Sequence, residues 1–239
     1  MTASDELSIV IPVRNHEVLL PRLLASLAAQ DYPHISNVTI YVADGGSTDR
    51  TVEVAFGFRA WLNVVVIAGG SPCAGRNTGA ALAQSKYLLF IAPDAEIGDC
   101  TLVRRAVEAI KRESLDCVTT GVSVRGLPIR YQFSCAFNNI VGRLLQFLRP
   151  MGTAAFLMIA KESFIHLGGF DEEARHSDYE LTSQISPRKF RVIRGHVLVS
   201  GNSRPSGNCG ISAAWFLRGV CGRRFRAGYA TQQKVSSYR

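Results

Sequence analysis

Polar residues that can bind an anion stand directly after several apolar runs of this sequence. Asp44 opens the segment DGGSTD after the run VTIYVA, and Asp94 follows YLLFIA and Pro93. Between them, Arg76 lies in GSPCAGRNTGA, where we expect the first turn of a helix rich in small residues. Backbone N–H groups and an arginine at a helix N-terminus form a natural anion site. Each residue alone also fits a turn or a surface charge, but their joint placement indicates a binding site.

The elements that would position these residues alternate between strand and helix. Apolar runs bounded by turn residues predict strands, and apolar residues with a helical period predict helices. Because the strands are apolar almost throughout, we expect an α/β fold with a parallel sheet covered by helices on both faces. Ligands bind at the carboxyl ends of the strands in such sheets. The predicted strands are 7–13, 38–43, 63–68, 87–92, 117–124, 152–160 and 190–200, and the predicted helices are 17–30, 48–60, 74–84, 99–113 and 139–149.

The composition of the 239 residues is that of a globular protein, with 47% hydrophobic and 19% charged residues. The longest apolar runs, such as AAFLMIA, are far shorter than the ~20 residues of a membrane span. The N-terminus MTASDELSIV lacks the basic start of a signal peptide, so we expect a cytoplasmic protein. The six cysteines show no metal-binding spacing and are expected to be reduced thiols.

The net charge of +8 is concentrated at the C-terminal end of the chain. No Asp or Glu follows Glu180, whereas residues 181–239 contain eleven Lys and Arg residues. Such a one-sided distribution indicates an anionic partner, unless the basic end is simply solvated. Trp215 and Phe216 beside Arg218 suggest peripheral contact with an anionic membrane at its inner face. The equally open alternative is a C-terminal helix packed on the core.

Four segments resemble, in order, the motifs of family-2 glycosyltransferases of the GT-A fold. The segments are SIVIPVRN, VADGGSTDRT, AGRNTGAALAQSKYLLFIAPDAE, and LGGFDEE followed by SDYELTSQI. The resemblance covers about residues 7–182 and implies a Rossmann-like α/β fold with a mixed, mainly parallel sheet. It also implies a nucleotide-sugar-binding half at 1–125 and an acceptor-binding half of the same domain at 126–200. Residues 201–239 would then be a basic C-terminal tail.

The resemblance assigns nucleotide-binding roles to five residues. Pro12, Val13 and Arg14 match the end of the first strand, which approaches the base and ribose of the nucleotide. Asp44 matches the acid that accepts a hydrogen bond from the base. Arg76 matches the arginine near the diphosphate. The implied donor is a UDP- or GDP-type sugar.

The resemblance also assigns the metal and the acceptor side of the site. Asp94 matches the second acid of the Asp-x-Asp motif, which holds Mg²⁺ or Mn²⁺ against the donor diphosphate. Asp178 matches the general base that takes a proton from the acceptor hydroxyl. Glu172 and His176 are expected to contact the acceptor, a sugar or a lipid-linked molecule.

The chain departs from the family pattern at several of these positions. Ala92 replaces the usual first acid of Asp-x-Asp, and Ala95 follows Asp94 where another acid is common. His16 and Ser177 also stand where acids are usual. We therefore expect weak metal binding by the protein itself. The QxxRW motif of processive polysaccharide synthases is absent, which argues against a long-chain polymerase.

The expected function is an inverting transfer of one sugar to an acceptor hydroxyl, with metal assistance and an aspartate base. An alternative is a weakened or inactive GT-A protein that only binds nucleotide sugars. A nucleotidyltransferase is disfavoured because IPVRNHEV has no glycine for a phosphate-binding loop after the first strand. No nucleic-acid partner is expected, and the sequence leaves the oligomeric state open.

Overall fold

The computed structural model describes residues 3–126, 128–174 and 177–200. No helix within those ranges is both long enough and apolar enough to cross a membrane. The elements in chain order are α1 (Ala3–Glu6), β1 (Leu7–Val13), α2 (Leu20–Ala28), β2 (Thr39–Asp44), α3 (Thr51–Gly57), β3 (Asn63–Ala68), α4 (Pro72–Leu82), β4 (Tyr87–Ile91), β5 (Ala95–Glu96), α5 (Leu102–Arg112), β6 (Cys117–Arg125), α6 (Ile129–Leu145), β7 (Phe156–Ala160), α7 (Lys161–His166), α8 (Ser177–Ser183) and β8 (Phe190–Ser200).

Eight strands form one sheet in the order β3-β2-β1-β4-β7-β6-β8-β5. Strands β1 to β4 are parallel to one another, β7 is antiparallel to both β4 and β6, and β8 is parallel to β6. The short edge strand β5 is antiparallel to β8. The predicted mixed, mainly parallel α/β sheet is therefore confirmed.

Helices cover both faces of this sheet, as the apolar strands predict. Alternate residues of β4 point to opposite faces, as strand geometry requires. Leu89 and Ile91 belong to a core that includes residues of α2 and α5, whereas Leu88 and Phe90 belong to one that includes residues of α4, α7 and α8. A strand buried on both sides has no polar face, which explains why it is apolar throughout.

The largest differences from the predicted boundaries concern α6 and β7, in the second half of the chain. Helix α6 begins at Ile129, ten residues before the predicted start, and ends at Leu145. The sequence pattern did not predict the first half of α6, because that pattern assumes that apolar residues face a core. In the structure, Ile129 and Phe133 point to solvent. Strand β7 begins at Phe156, since residues 152–155 form a loop that leads into it.

Helix α4 lies unusually close to β1 because Gly79 faces that strand. A Cβ atom at Gly79 would lie 2.5 Å from Cγ1 of Val10, which is fully buried. The tight contact holds α4 against the sheet and fixes the position of Arg76. Because α4 begins at Pro72, Arg76 lies in its second turn and not in the first turn that the sequence predicted. The small residues of GRNTGA therefore serve helix–strand packing.

We expect Gly79→Ala to destabilise the fold by about 1–3 kcal/mol, because the added methyl group would displace Val10 in a packed core. The measurement is the free energy of unfolding in urea. Gly142→Ala in α6 is the matched control, since no atom lies within 4 Å of the point that its added methyl group would occupy. The control should gain about 0.5–1 kcal/mol, and equal losses in both variants would contradict the packing argument.

Candidate functional site

The carboxyl ends of β1, β2 and β3 lie side by side and form the edge on which the site is built. Asp44 pairs with Val13 on one side and with the last residue of β3 on the other. The N–H of Gly45 donates to the Val13 carbonyl at 2.8 Å, and that of Gly69 donates to the Asp44 carbonyl at 2.7 Å. A Cβ atom at Gly45 would lie 2.5 Å from the Gly70 carbonyl oxygen. Only glycine allows the two loops to approach this closely.

The loops after β1 and β2 are joined by side chains of the segment DGGSTD. Asn15 has a left-handed φ of 57°, and its N–H donates to the Ser47 hydroxyl at 2.9 Å. The Asp49 carboxylate accepts from the N–H groups of Glu17 at 3.1 Å and Thr51 at 3.0 Å. Burial raises the pKa of Asp49, but hydrogen bonds from Thr51 and Glu17 outweigh it and leave that pKa below its usual value. Asp49 is thus a structural carboxylate.

Asp44 has a different environment from Asp49, although both belong to the same motif. Its two carboxylate oxygens accept from the Ser47 N–H at 3.1 and 3.2 Å, and the Ser47 hydroxyl also donates to it. The side chain is only half-buried. Ser47 therefore holds the Asp44 carboxylate in one orientation at the open edge of the sheet.

Asp178 is held at the same edge by main-chain donors. The N–H of Ala154 donates to its Oδ2 at 3.1 Å, and the N–H of Tyr179 donates to its Oδ1 at 3.1 Å. Ala154 immediately precedes Ala155, whose carbonyl oxygen lies 3.5 Å from the Ala92 nitrogen just after β4. The chain segment before β7 thus positions Asp178 beside the end of β4.

Arg76 lies close to Asp178 and lacks a full set of hydrogen-bond acceptors. Its Nε is buried and has no partner among the described residues, and its guanidinium carbon lies 5.3 Å from the centre of the Phe170 ring. Burial lowers the pKa of Arg76, while the charge of Asp178 and the nearby Cys73 side chain partly offset this effect. A half-buried cation whose buried N–H has no partner favours an anionic ligand.

Asp94 stands three residues after β4, at the same edge as Asp44 and Asp178. In the antiparallel β4–β7 pair, Ile91 is opposite Phe156. The residues that follow β4 therefore lie beside those that precede β7, where Ala154 contacts Asp178. Strand β4 is also parallel to β1, so its carboxyl end and that of β2 are at one edge. The three aspartates selected from the sequence share this edge.

The donor atoms around Asp94 fit a divalent metal only in part. The Asp94 carboxylate is half-buried and accepts no hydrogen bond from the described residues. Among those residues, no three His, Cys, Asp or Glu side chains are grouped as a metal site. Mg²⁺ commonly uses one or two carboxylates together with phosphate oxygens and waters. The Asp94 site is therefore suited to a metal ion that binds together with a diphosphate.

Asn77 is a site residue that the sequence analysis missed. Its Nδ2 donates to the Phe170 carbonyl at 2.9 Å, and its Oδ1 accepts from the Phe170 N–H at 2.9 Å. Nδ2 also lies 3.2 Å from Oε1 of Glu172. One amide side chain of α4 thereby holds the GGFDE loop over Arg76. The sequence contained one indication of this role, the Asn in GRNTGA. An Asn in a helix is usually interpreted as a surface residue.

The other predicted site residues have varied positions. Pro12 and Val13 are buried in β1, and the Val13 side chain is only 4% exposed, so little of it can reach a ligand. Arg14 is exposed, and its N–H donates to Nδ1 of His16 at 3.2 Å. Glu172 is exposed beside Asn77. His176 lies outside the described residues.

The family model described as glycosyl transferase family 2 matches residues 8–164, which is well over half of the chain. The chain belongs to glycosyl transferase family 2. The match covers the strand ends with Asp44, Arg76 and Asp94 and stops before Asp178. The membership that the motifs predicted is therefore confirmed.

The similar proteins agree with the fold. Over 127 residues the chain is 32% identical to the poly(ribitol-phosphate) beta-N-acetylglucosaminyltransferase TarS of Staphylococcus aureus strain Mu50, covering 51% of this chain and 22% of TarS. The crystal structure of S. aureus TarS 1-349 with UDP-GlcNAc matches with a TM-score of 0.65 at 20% identity, covering 83% of this chain and 59% of that one. The mannosyltransferase PcManGT from Pyrobaculum calidifontis, in complex with GDP-Man and Mn²⁺, matches with a TM-score of 0.70 at 18% identity, covering 89% and 60%.

These matches establish the GT-A fold, while their extent limits what they say about activity. The chain spans about a fifth to a half of the length of the curated relatives it matches.

We expect Asn77→Ala to lower the free energy of unfolding by about 1–3 kcal/mol, because it leaves the Phe170 main chain without its partners. Urea denaturation measures this loss. Thr78→Ala is the matched control, since Thr78 is the exposed neighbour on α4. A loss of the same size in the control would mean that the Asn77 hydrogen bonds do not hold the loop.

Proposed function

We propose that the protein transfers a single sugar from a nucleotide-diphosphate donor to an acceptor hydroxyl with inversion of configuration. The observation that carries this proposal is the meeting of Arg76 and Asp178 at the sheet edge that also bears Asp44 and Asp94. One cation with an unsatisfied N–H and three carboxylates suit a ligand that has a base, a diphosphate and a reacting sugar. Family membership supports the same reaction class.

The donor would bind along the edge formed by the first half of the chain, 1–125. Asp44, oriented by Ser47, would accept a hydrogen bond from the nucleotide base. Arg76 would contribute a charge-assisted hydrogen bond to the diphosphate. Because Pro12 and Val13 are buried, their part in nucleotide binding would be to support the loop that carries Arg14. We propose a UDP- or GDP-type donor, as in the UDP-GlcNAc complex of TarS and the GDP-Man complex of PcManGT.

A divalent metal would be held by Asp94 together with the donor diphosphate. Mg²⁺ or Mn²⁺ bound there stabilises the negative charge that grows on a leaving diphosphate. With Ala92 in place of a second acid, the protein offers that metal few ligands. We therefore propose that the nucleotide and the metal bind together.

The acceptor would bind on the side formed by 126–200, next to Asp178. The Asp178 carboxylate would take the proton of the acceptor hydroxyl as its oxygen attacks the anomeric carbon. The bond from that carbon to the diphosphate breaks as the new glycosidic bond forms, so the configuration inverts. The two N–H groups that donate to Asp178 hold its carboxylate in one orientation, and the Arg76 cation lies nearby. Glu172 and His176 are proposed acceptor contacts.

A nucleotide-sugar-binding protein without transferase activity is the second candidate. The observation that favours it is the single carboxylate at the metal position, with Ala92 and Ala95 around Asp94. The retained Asp178 and its proximity to the Arg76 cation favour the enzyme. We further propose a sugar or lipid-linked acceptor, a cytoplasmic location and no nucleic-acid partner. The predicted membrane contact of the tail concerns residues 201–239, which lie outside the described part.

Asp178→Asn should reduce sugar transfer by about 10²–10⁴-fold, because the amide cannot accept the proton of the acceptor hydroxyl. Nucleotide affinity, measured by calorimetry with UDP and GDP, should remain unchanged. Glu180→Gln, an exposed residue of the same helix, is the matched control and should retain full activity. Turnover at the wild-type level in Asp178→Asn would exclude Asp178 as the base.

A thermal-shift panel with UDP, GDP, CDP and dTDP, each with and without Mn²⁺, should identify one stabilising nucleotide whose effect grows with Mn²⁺. Asp94→Asn should abolish the Mn²⁺-dependent part of the shift and retain the metal-independent part, because only the metal contact is lost. Asp116→Asn is the control, because Asp116 directly precedes β6 and is not one of the residues proposed to bind the metal or the nucleotide. An unaltered Mn²⁺ response in Asp94→Asn would rule out Asp94 as the metal ligand.

A further inference from the structure

Helix α6 and the turn after it expose large apolar side chains on one face. Six of these side chains, at intervals of three or four residues, each expose between 58% and 77% of their surface. We call this set the outer stripe, and it consists of Ile129, Phe133, Phe137, Ile140, Leu144 and Leu148. Contiguous exposed apolar patches of this kind mark sites of protein or membrane interaction.

The outward direction of the outer stripe is fixed by hydrogen bonds on the opposite, inward face of α6. The Asn139 side chain accepts from the Val122 N–H at 3.0 Å and donates to the Val122 carbonyl at 2.8 Å. These bonds satisfy main-chain groups of β6 beyond the point where β6 pairs with β7. In the following turn, the buried Gln146 accepts from the Val192 N–H at 2.8 Å. The helix cannot rotate its apolar side chains inward without breaking these bonds.

The charges around the outer stripe are mostly positive. No Asp or Glu occurs from residue 117 to residue 161, and Arg143 lies exposed on the helix beside the stripe. Two acids on neighbouring elements are already paired with arginines, Glu96 with Arg125 at 3.2 Å and Glu113 with Arg191 at 2.7 Å. The surface therefore combines an apolar stripe with an excess of positive charge.

Three partners could cover the stripe: a second copy of the chain, residues 201–239, or a lipid bilayer. The positive charge of the surface favours one of them. A second copy related by a two-fold axis would place the same basic residues against each other. Residues 201–239 contain seven Lys and Arg residues and no Asp or Glu, so they share the charge of the surface. An anionic lipid bilayer offers the opposite charge and an apolar interior just beneath it.

We propose that the outer stripe docks α6 in the plane of an anionic lipid bilayer. The helix is about 25 Å long from its rise per residue, and its apolar side chains enter the boundary between headgroups and acyl chains. Amphipathic helices with apolar and basic residues bind membranes in this way. The docking involves none of the proposed catalytic residues, so it is independent of the transferase activity.

The position of α6 links the bilayer to the candidate site. A short loop after α6 leads to Ala154, whose N–H donates to the Asp178 carboxylate. If the proposed transferase function is correct, this loop connects the docked helix to the acceptor side of the site. An acceptor carried by a membrane lipid would then reach Asp178 without leaving the membrane.

The test is flotation of the full-length protein with vesicles of phosphatidylcholine mixed with phosphatidylglycerol, at low and at high salt. The wild type should float with these vesicles, less at high salt and less with phosphatidylcholine alone. Ile140→Glu combined with Leu144→Glu should lower the partition coefficient about tenfold or more. The matched control combines Ile165→Glu with Leu82→Glu, an exposed isoleucine and leucine on other helices, and should float like the wild type.

Three outcomes would overturn the proposal. Flotation of the stripe variant at the wild-type level would mean that another part of the chain binds the vesicles. A wild type that does not float but forms a dimer in light scattering, which the stripe variant abolishes, would identify a second copy as the occupant. A wild type that does not float, with a lower unfolding temperature for the stripe variant than for the control, would mean that the chain itself covers the stripe.

Discussion

The structure of the candidate site depends on the common level at which β1, β2 and β3 end. Asp44 is placed by main-chain pairing with Val13 and with the end of β3, and the loops that follow are close enough to require glycine at position 45. Helix α4 is held to the same frame by the Gly79–Val10 contact. Arg76 and Asn77 therefore have fixed positions relative to Asp44. Small residues in this sequence serve the geometry of the main chain, and the chemistry is carried by the few polar residues between them.

The acids at this edge of the sheet have different structural roles. Asp49 uses its oxygens to join the loops after β1 and β2, and hydrogen bonds hold it in its charged form. Asp44 is oriented by Ser47 and remains half-buried at the edge. On the other side of the sheet edge, Asp178 receives two main-chain N–H groups and lies near a half-buried arginine. Each of these three acids accepts its own local hydrogen bonds, which allows several carboxylates to share one edge.

The first half of the fold could be predicted from the sequence because its strands are continuous apolar runs with parallel neighbours. The order of the second half could not, since nothing in the local pattern of FLMIA indicates that β7 lies antiparallel between β4 and β6. Strand β5 was missed because its two residues have no period, and α6 was misplaced because its apolar residues face outward. Among site residues, the aspartates were recognisable by their position after strands. Asn77 was not, because its partners at Phe170 and Glu172 are more than ninety residues away along the chain.

The antiparallel strand β7 has a mechanical consequence. Strand β7 belongs to the second half, and it is hydrogen-bonded on one side to β4 and on the other to β6, both strands of the first half. The two halves are consequently parts of one continuous sheet. Opening and closing around a ligand by hinge motion of the halves would break main-chain pairs in the middle of the molecule.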